Sequence, residues 1–219
     1  MLSHTEENYL KAIFHLSESG DKDVATNAIA GHMNTTAASV SDMIQKLAKK
    51  KQLSYMKYRG VNVTDLGAKS ALQVIRKHRL WEVFLVNKLG FAWDEVHEIA
   101  EQLEHIESPL LTERLDKYLG HPKHDPHGDP IPDMNGVIDS APEFTLDSIE
   151  AGVACRVVRA KDSSPEFLNY LDQIQVRIGV VLKIREKFEY DGSLVLQISD
   201  QPSVTISEKV ASNLFVHKL

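Results

Sequence analysis

Residues 37–65, "AASVSDMIQKLAKKKQLSYMKYRGVNVTD", set the fold. The first half carries Val40, Met43, Ile44 and Leu47 at helical spacing, so it reads as an amphipathic helix with one apolar face. Thr35 or Thr36 stands where a cap belongs. The second half, "LSYMKYRGVNVTD", reads as two β segments around Arg59-Gly60, because Tyr, Val and Thr favour strands. Upstream, "TNAIAGHM" (26–33) is a shorter helix that Thr26 can cap, and "NTT" (34–36) is a polar turn. Two helices across so short a turn form a helix-turn-helix, and a hairpin directly after it is the winged-helix layout.

That layout places Thr36, Ala38, Ser39, Ser41 and Asp42 on the first turns of a recognition helix. The N-terminal turns of such a helix enter the major groove of DNA. Hydroxyls there reach phosphates or base edges, and Ala38 can touch a thymine methyl. Lys46 on the helix and Lys57 and Arg59 at the wing tip are the expected phosphate contacts. Asp42 is repelled by phosphate and needs a cytosine amine or Lys46, four residues on. Charge is distributed accordingly. The chain carries a net −6, but residues 1–75 hold nine Lys/Arg against seven Asp/Glu, and the remainder sixteen against twenty-four. The front third suits nucleic acid, and the acidic remainder suits cations or other protein surfaces.

Around this core, "TEENYLKAIFHLSE" (5–18) is a helix stopped by Gly20, and Asp65 can cap a long helix over 66–89 that ends at Gly90. "DEVHEIAEQLEHI" (94–106) is the next helix, and "SPLLTERLDKYLG" (108–120) follows with Ser108 capping, Pro109 first and Gly120 just past the end. Trp81, Phe84, Leu85, Val86, Leu110, Leu111 and Leu115 are more apolar surface than one small helical layer buries, so a two-fold dimer is expected here. The segment 121–136, with four prolines and two glycines, is a loop. From about residue 147 the pattern turns to strands: "VACRVVRA", "VVLKIREKFEY", with a turn at Asp191-Gly192, then "SLVLQIS" and "SVTIS". They are interrupted by a helix "SSPEFLNYLDQ" capped by Ser164, and together they predict a small barrel. The single cysteine, Cys155, lies in a strand and reads as core, and one cysteine forms no internal disulfide. No apolar run reaches the roughly 18 residues of a membrane span, and the N-terminal stretch lacks the pattern of a secretory signal. A cytoplasmic location is expected.

"VHEIAEQLEHIE" (96–107) contains no Lys or Arg to pair with its glutamates. On a helical wheel Glu101, Glu104 and His105 fall between about −20° and +80° of His97. Val96, Ile99, Ala100, Leu103 and Ile106 take the opposite half, which leaves the His/Glu stripe beside the buried face. His78 and Glu82, at i and i+4, share a face of the preceding helix. If the two helices pack, six nitrogen and oxygen donors converge, a set that suits a divalent first-row metal. The plain alternative is a solvated acidic face, but such a cluster repels itself until a cation neutralises it. The loop offers His121, His124, Asp125, His127 and Asp129 as well. Its prolines are expected to hold these side chains in scattered directions, so no site is expected there.

"TEENYLKAI", "TTAASVSDMIQKL", "YRGVNVT", "RKHRLWEVFL" and "VHEIAEQLEHI" together resemble the diphtheria-toxin-repressor family of metal-dependent transcriptional repressors, over about residues 4–140. "DPHGDPIP" resembles the family's connector, and the last stretch of about 70 residues its SH3-like C-terminal domain. The carboxylate-rich version of the site is closer to the manganese-responsive branch. The resemblance implies a primary metal site at His78, Glu101, Glu104 and His105, and an ancillary one at His78, Glu82 and His97, with Glu166 as donor from the C-terminal domain. Glu101 stands where the iron-responsive members carry a cysteine, and a harder carboxylate favours Mn²⁺ or Fe²⁺. Asn8 stands where the family usually has Met or Asp, and its amide oxygen can bind a hard metal but brings no charge.

The expected protein is α+β, with a winged helix-turn-helix (1–73), a helical metal-binding and dimerisation domain (74–140) and a small SH3-like β-barrel (147–219). Its expected function is transcriptional repression: a dimer loaded with Mn²⁺ or Fe²⁺, two sites per chain, binds double-stranded operator DNA and controls metal homeostasis genes. Metal would draw the N-terminal helix, through Asn8, toward the helix pair and fix the spacing of the recognition helices. No membrane partner and no small-molecule substrate are expected. The alternatives are a winged-helix regulator sensing an organic ligand and a metal-dependent hydrolase. The latter lacks any nucleophile motif or phosphate loop and would leave the winged helix idle.

Overall fold

The computed structural model describes residues 2–17, 20, 22–56, 60–138, 142–199 and 202–219. They form two compact units, Met1–His78 with Glu101–Thr112 and Pro132–Ile138, and Arg79–Ala100 with Glu113–Ile131 and Asp139–Leu219.

The first unit contains α1 (His4–Leu16), α2 (Thr26–His32), α3 (Ala37–Lys49), β1 (Leu53–Met56), β2 (Gly60–Val63) and α4 (Asp65–Leu89) as far as His78. Ser3 caps α1 in a reciprocal capping box with Glu6. Thr36 caps α3 by accepting from Ser39 N at 3.2 Å. Two expected caps fall elsewhere. Ala25 is the extended residue before α2, which puts Thr26 inside the helix with no side-chain cap formed. At α4 the Thr64 hydroxyl accepts from Gly67 N at 3.0 Å, because Asp65 is already the first helical residue. β1 and β2 pair antiparallel, Leu53 opposite Val63 and Tyr55 opposite Val61. Val24 adds a bridge to Val61, with N–O distances of 2.8 and 2.9 Å. Gly60 is needed at this close approach, since its φ is +115° and a Cβ would lie 2.4 Å from Val24 O. The wing tip, with Lys57 and Arg59, lies outside the described residues.

One core holds this unit together. Leu10 and Ile13 of α1, Ile29 of α2, Val40, Ile44 and Leu47 of α3, and Ala71 and Ile75 of α4 meet in it. Burying each large apolar side chain is worth roughly 1.5–3 kcal/mol. The apolar face of α1 is therefore committed to the helix-turn-helix core, while His4, Glu7, Asn8 and Lys11 share the other side of that helix, at spacings of three and four.

The second unit contains the rest of α4, α5 (His97–Leu103) as far as Ala100, α6 (Pro109–Tyr118) from Glu113, and the C-terminal sheet. Leu80, Val83, Leu115 and Ile131 form a small core with Trp81, Phe84 and Leu119. α5 is shorter than the expected helix over 94–106: residues 94–96, and Glu104 and His105, lie in turns or bends. The wheel therefore fails at its C-terminal end, where Glu104 is fully buried and Ile106 is 38% exposed.

The sheet comprises β3 (Phe144–Thr145), β4 (Ala154–Ala160), β5 (Val181–Lys187), β6 (Leu194–Ile198), β7 (Val204–Ile206) and β8 (Leu214–Lys218), in the order β3-β8-β4-β5-β6-β7. Register shifts at Val157/Arg159 and Ile184/Glu186 are bulges of the kind that bend strands around a core. That core includes Cys155, Val157, Leu182, Ile184, Leu196 and Val216, together with Leu168 and Leu171 of α7 (Pro165–Gln173). Ser164 precedes α7 but makes no side-chain cap bond. β3, β8 and the four-residue helix α8 (Glu208–Ala211) are absent from the expectation; β3, of two residues, and α8, of one turn, are too short to show a period.

Candidate metal centre and nucleic-acid interface

In the first unit α1 supplies Glu7, Asn8 and Lys11, α4 supplies His78, and the end of α5 with the turn after it supplies Glu101, Glu104 and His105. Lys11 Nζ lies 2.5 Å from Glu101 Oε1 and 2.7 and 2.8 Å from the two oxygens of Glu104. The glutamates of 96–107 are thus not left unpaired: a lysine about ninety residues upstream, beyond the reach of any local pattern, meets two of them. His78 Nδ1 lies 2.7 Å from Glu104 Oε2 and 3.6 Å from Glu101 Oε1. Burial works against the Glu104 carboxylate, but the His78 hydrogen bond and the charges of Lys11 and His78 outweigh it and hold its pKa below the ordinary carboxylate value.

His105 completes the cluster. Its Nδ1 is 2.6 Å from Glu7 Oε2 and its Nε2 is 3.8 Å from Glu104 Oε1. An imidazole that donates from Nδ1 to a carboxylate is held in the tautomer whose Nε2 can coordinate a metal. His4 stacks on the same ring, with centroids 4.5 Å apart and planes at 10°. Asn8 Oδ1 is buried with no hydrogen-bond partner among the described residues, a costly state for an amide oxygen unless something cationic faces it. Three carboxylates, two imidazoles and an orphaned amide oxygen, part of whose negative charge the Lys11 ammonium already balances, are a donor set that fits a divalent cation of the harder first-row type. Glu7 and Lys11 went unrecognised in the sequence, where their only trace is the i, i+4 spacing on the helix that carries Asn8.

The second unit gathers a different set. Glu82, Asp125 and His127 are all buried, with ligand-type atoms within 4.8 Å of one another. His127 Nδ1 is 3.6 Å from Glu82 Oε2, and His97 Nδ1 is 3.7 Å from Glu82 Oε1. His127 Nε2 donates to Trp93 O at 2.8 Å, so in the neutral ring the lone pair is on Nδ1, facing Glu82. Burial lowers the His127 pKa, but its hydrogen bond to Glu82 and the charges of Glu82 and Asp125 reverse this and raise it to about 9. Burial, reinforced by the charges of Glu82 and Asp129 and opposed by His127 and Arg79, pushes the Asp125 carboxyl upward.

The scattering expected of the loop is therefore corrected for two of its five candidates. Asp125 Oδ1 accepts from His127 N at 2.8 Å and Asp129 N at 3.0 Å, an Asx-type turn that orients both side chains inward. His121 and His124 remain exposed, and Asp129 faces Arg79 and Arg159. Glu166 is exposed on the first turn of α7 and is not among the residues gathered around Glu82.

On α3 the side chains of Thr36, Ala38, Ser39, Ser41, Asp42 and Lys46 are exposed, while Val40, Ile44 and Leu47 are buried. The Thr36 and Ser39 hydroxyls lie 3.0 Å apart, and Ser41 Oγ donates to Ala37 O at 2.8 Å. No ion pair joins Asp42 to Lys46 among the described residues. No helix is long and apolar enough to cross a membrane among the described residues.

A winged helix whose first helix also lines a carboxylate–imidazole cluster defines a class: DNA-binding proteins gated by a metal ion. Comparison with known proteins agrees. Residues 1–61 match the iron dependent repressor N-terminal DNA binding domain, 64–133 its metal binding and dimerisation domain, and 144–218 the FeoA domain. The iron-dependent repressor IdeR of Mycobacterium tuberculosis is 35% identical over 230 residues, covering 100% of this chain and 99% of that protein. The diphtheria toxin repressor of Corynebacterium diphtheriae is 28% identical over 91% of this chain and 80% of its own length. Among solved structures, a manganese-dependent transcriptional repressor in complex with manganese superposes with a TM-score of 0.87 at 35% identity, over 98% of this chain and 100% of that one. The structure of the manganese regulator SloR gives 0.78 at 34% identity, over 98% of each chain. The chain belongs to the iron-dependent repressor family. It is a metal-dependent transcriptional repressor and not an enzyme.

Proposed function

We propose that this repressor binds operator DNA as a homodimer through α3, with Thr36, Ala38, Ser39, Ser41, Asp42 and Lys46 at the major groove and Lys57 and Arg59 on the wing. Residues 1–73 form the DNA-binding domain, 74–140 the metal-binding and dimerisation domain, and 147–219 the SH3-like domain of a cytoplasmic protein. Mn²⁺ or Fe²⁺ is the activating ion. The primary site comprises Asn8, Glu101, Glu104 and His105, with His78 and Glu7 orienting Glu104 and His105. The second site comprises Glu82, Asp125 and His127, with His97 beside Glu82. A bound divalent ion supplies the positive charge that these acidic groups lack.

One observation carries the proposal. α1 buries Leu10 and Ile13 in the core that also holds the recognition helix, and presents Glu7, Asn8 and Lys11 to the acidic cluster. A change in what the cluster holds is thereby a change in the seating of α1. The ion alters DNA affinity only through its preference for the DNA-competent placement of that helix. The test is fluorescence anisotropy of an operator duplex, titrated anaerobically with Mn²⁺, Fe²⁺, Co²⁺ and Zn²⁺ in wild type and Glu104→Gln. Wild type is expected to bind only with metal, and Glu104→Gln to lose that dependence. Wild-type metal dependence in Glu104→Gln refutes the assignment.

A further inference from the structure

We propose that Lys11 is a resident cation of the primary cluster. Its ammonium stays between Glu101 and Glu104 in metal-free and metal-loaded chains alike, so the cluster takes one divalent ion, on its Asn8–His105 side, and not two. The proposal rests on the metal-binding reading of this cluster.

Hydrogen bonding is the first reason. An ammonium has three donors, and all three are engaged: one on Glu101 Oε1 at 2.5 Å, two on Glu104 at 2.7 and 2.8 Å. The Lys11 side chain is 13% exposed and that of Glu104 0%, so the pairing lies in a partly dry site where charge-assisted bonds are strong. An ion held by Glu101 and both oxygens of Glu104 would have to break all of these bonds at once.

Charge is the second reason. Glu7, Glu101 and Glu104 bring three negative charges and Lys11 returns one, so with neutral imidazoles two remain. One divalent ion cancels them. Expelling Lys11 for a single ion would leave a net negative charge next to a fully buried carboxylate, and adding two ions beside Lys11 would leave an excess of positive charge. Either imbalance is penalised where water is excluded.

The third reason is the place left open. Asn8 Oδ1 is buried with no partner among the described residues, an acceptor that the Lys11 ammonium does not use. The Nε2 face of His105 lies near Glu104 Oε1, 3.8 Å away. A neutral amide oxygen suffices there because the lysine has already balanced part of the acidic charge.

The experiment uses the full chain at saturating Mn²⁺, with bound metal counted after equilibrium dialysis. Lys11→Glu turns the resident charge into a ligand and is expected to bind one more Mn²⁺ per chain than wild type. Lys11→Arg is expected to bind the wild-type number. In wild type, acetylation of Lys11 followed by mass spectrometry is expected to stay low with and without Mn²⁺, a readout independent of whether any variant folds. An unchanged count in Lys11→Glu, or a rise in Lys11 labelling when Mn²⁺ is added, overturns the proposal, because metal then displaces the lysine. Glu104→Gln separates the two levels: it is expected to lose one Mn²⁺, and if it keeps the wild-type count the metal site itself is misassigned and the proposal falls with it.

Discussion

Removing Lys11 from metal-free protein should destabilise the first unit, and the cost can be worked from the cluster. Lys11→Met keeps the apolar stem of the side chain and deletes only its charged head. Three charge-assisted contacts disappear, two of them to a carboxylate with 0% exposure. Breaking a fully buried ion pair costs about 3–5 kcal/mol. Here His78 remains on Glu104 Oε2 and the Glu101 side chain is 31% exposed, so water and the imidazole recover part of that. The expected loss is about 2 kcal/mol, in the range of one hydrogen bond to a charged group. Glu104→Gln removes the charge that Lys11 answers, so Lys11→Met should cost far less in that background. A double-mutant cycle should then yield a coupling of about 2 kcal/mol. The assay is urea unfolding followed by far-UV circular dichroism, with hydrogen exchange of α1 peptides to localise the effect. Trp81 and Trp93 both lie in the second unit, so tryptophan fluorescence serves as the control. Adding Mn²⁺ at about one hundred times its Kd should stabilise the wild type by about 2.7 kcal/mol. A coupling below about 0.5 kcal/mol would refute the reasoning, since the pair would then be no stronger than an exposed one.

Four further outcomes follow from the same geometry. Ser39→Ala should weaken operator binding more than random-sequence binding, whereas Lys46→Ala should weaken both alike and reduce the salt slope by about one; equal losses for both variants on both DNAs would misplace the recognition face. Gly128 has φ +91° and a Cβ there would lie 2.0 Å from Val158 O, so Gly128→Ala should cost about 3 kcal/mol or more by fluorescence-detected urea unfolding; a loss under about 1 kcal/mol would show that the loop yields instead. The raised pKa of His127, to about 9, contributes stability that is fully present below the unfolded imidazole value and lost as pH rises through about 9. Metal needs the deprotonated ring, so Mn²⁺ binding at Glu82, Asp125 and His127 should release protons and tighten over that window; calorimetry in two buffers of different ionisation enthalpy checks this, and buffer-independent heats would count against it. Finally, Leu110 is 57% and Leu111 38% exposed, while Leu85 and Leu115 are already buried within the chain. Leu110→Glu should shift light-scattering mass from two chains to one, and an unchanged dimer would place the interface elsewhere.

The parts legible in the sequence are those whose signal is local. The apolar period of α3, the Thr36 cap, the Pro109 start of α6 and the turn at Asp191-Gly192 are decided within a few residues of where they are read. Types and spacings there are set by backbone hydrogen bonding and by one buried face, and both survive in a linear string. Glu101, Glu104 and His105 are legible too, because their segment contains no Lys or Arg to pair with its glutamates and a like-charge cluster repels itself until a cation neutralises it.

What filled and shaped that cluster belongs to the tertiary structure alone. Lys11 and Glu104 are 93 positions apart, and nothing in either segment encodes the pairing. It exists because Leu10 and Ile13 are held in the helix-turn-helix core, which turns the opposite side of α1 toward the cluster. The burial of Glu104 likewise goes with the end of α5 at Leu103, three residues before the expected helix end at Ile106. In the second unit, the prolines around Asp125 and His127 announce an irregular loop, but the direction of its side chains is set by the Asp125 turn and by Gly128 packed against the backbone of Val158. Periodicity records which face of an element is apolar. Which charged groups then meet across the fold is decided by long-range packing, because an ion pair costs too much to bury unless the surrounding core already holds both partners in place.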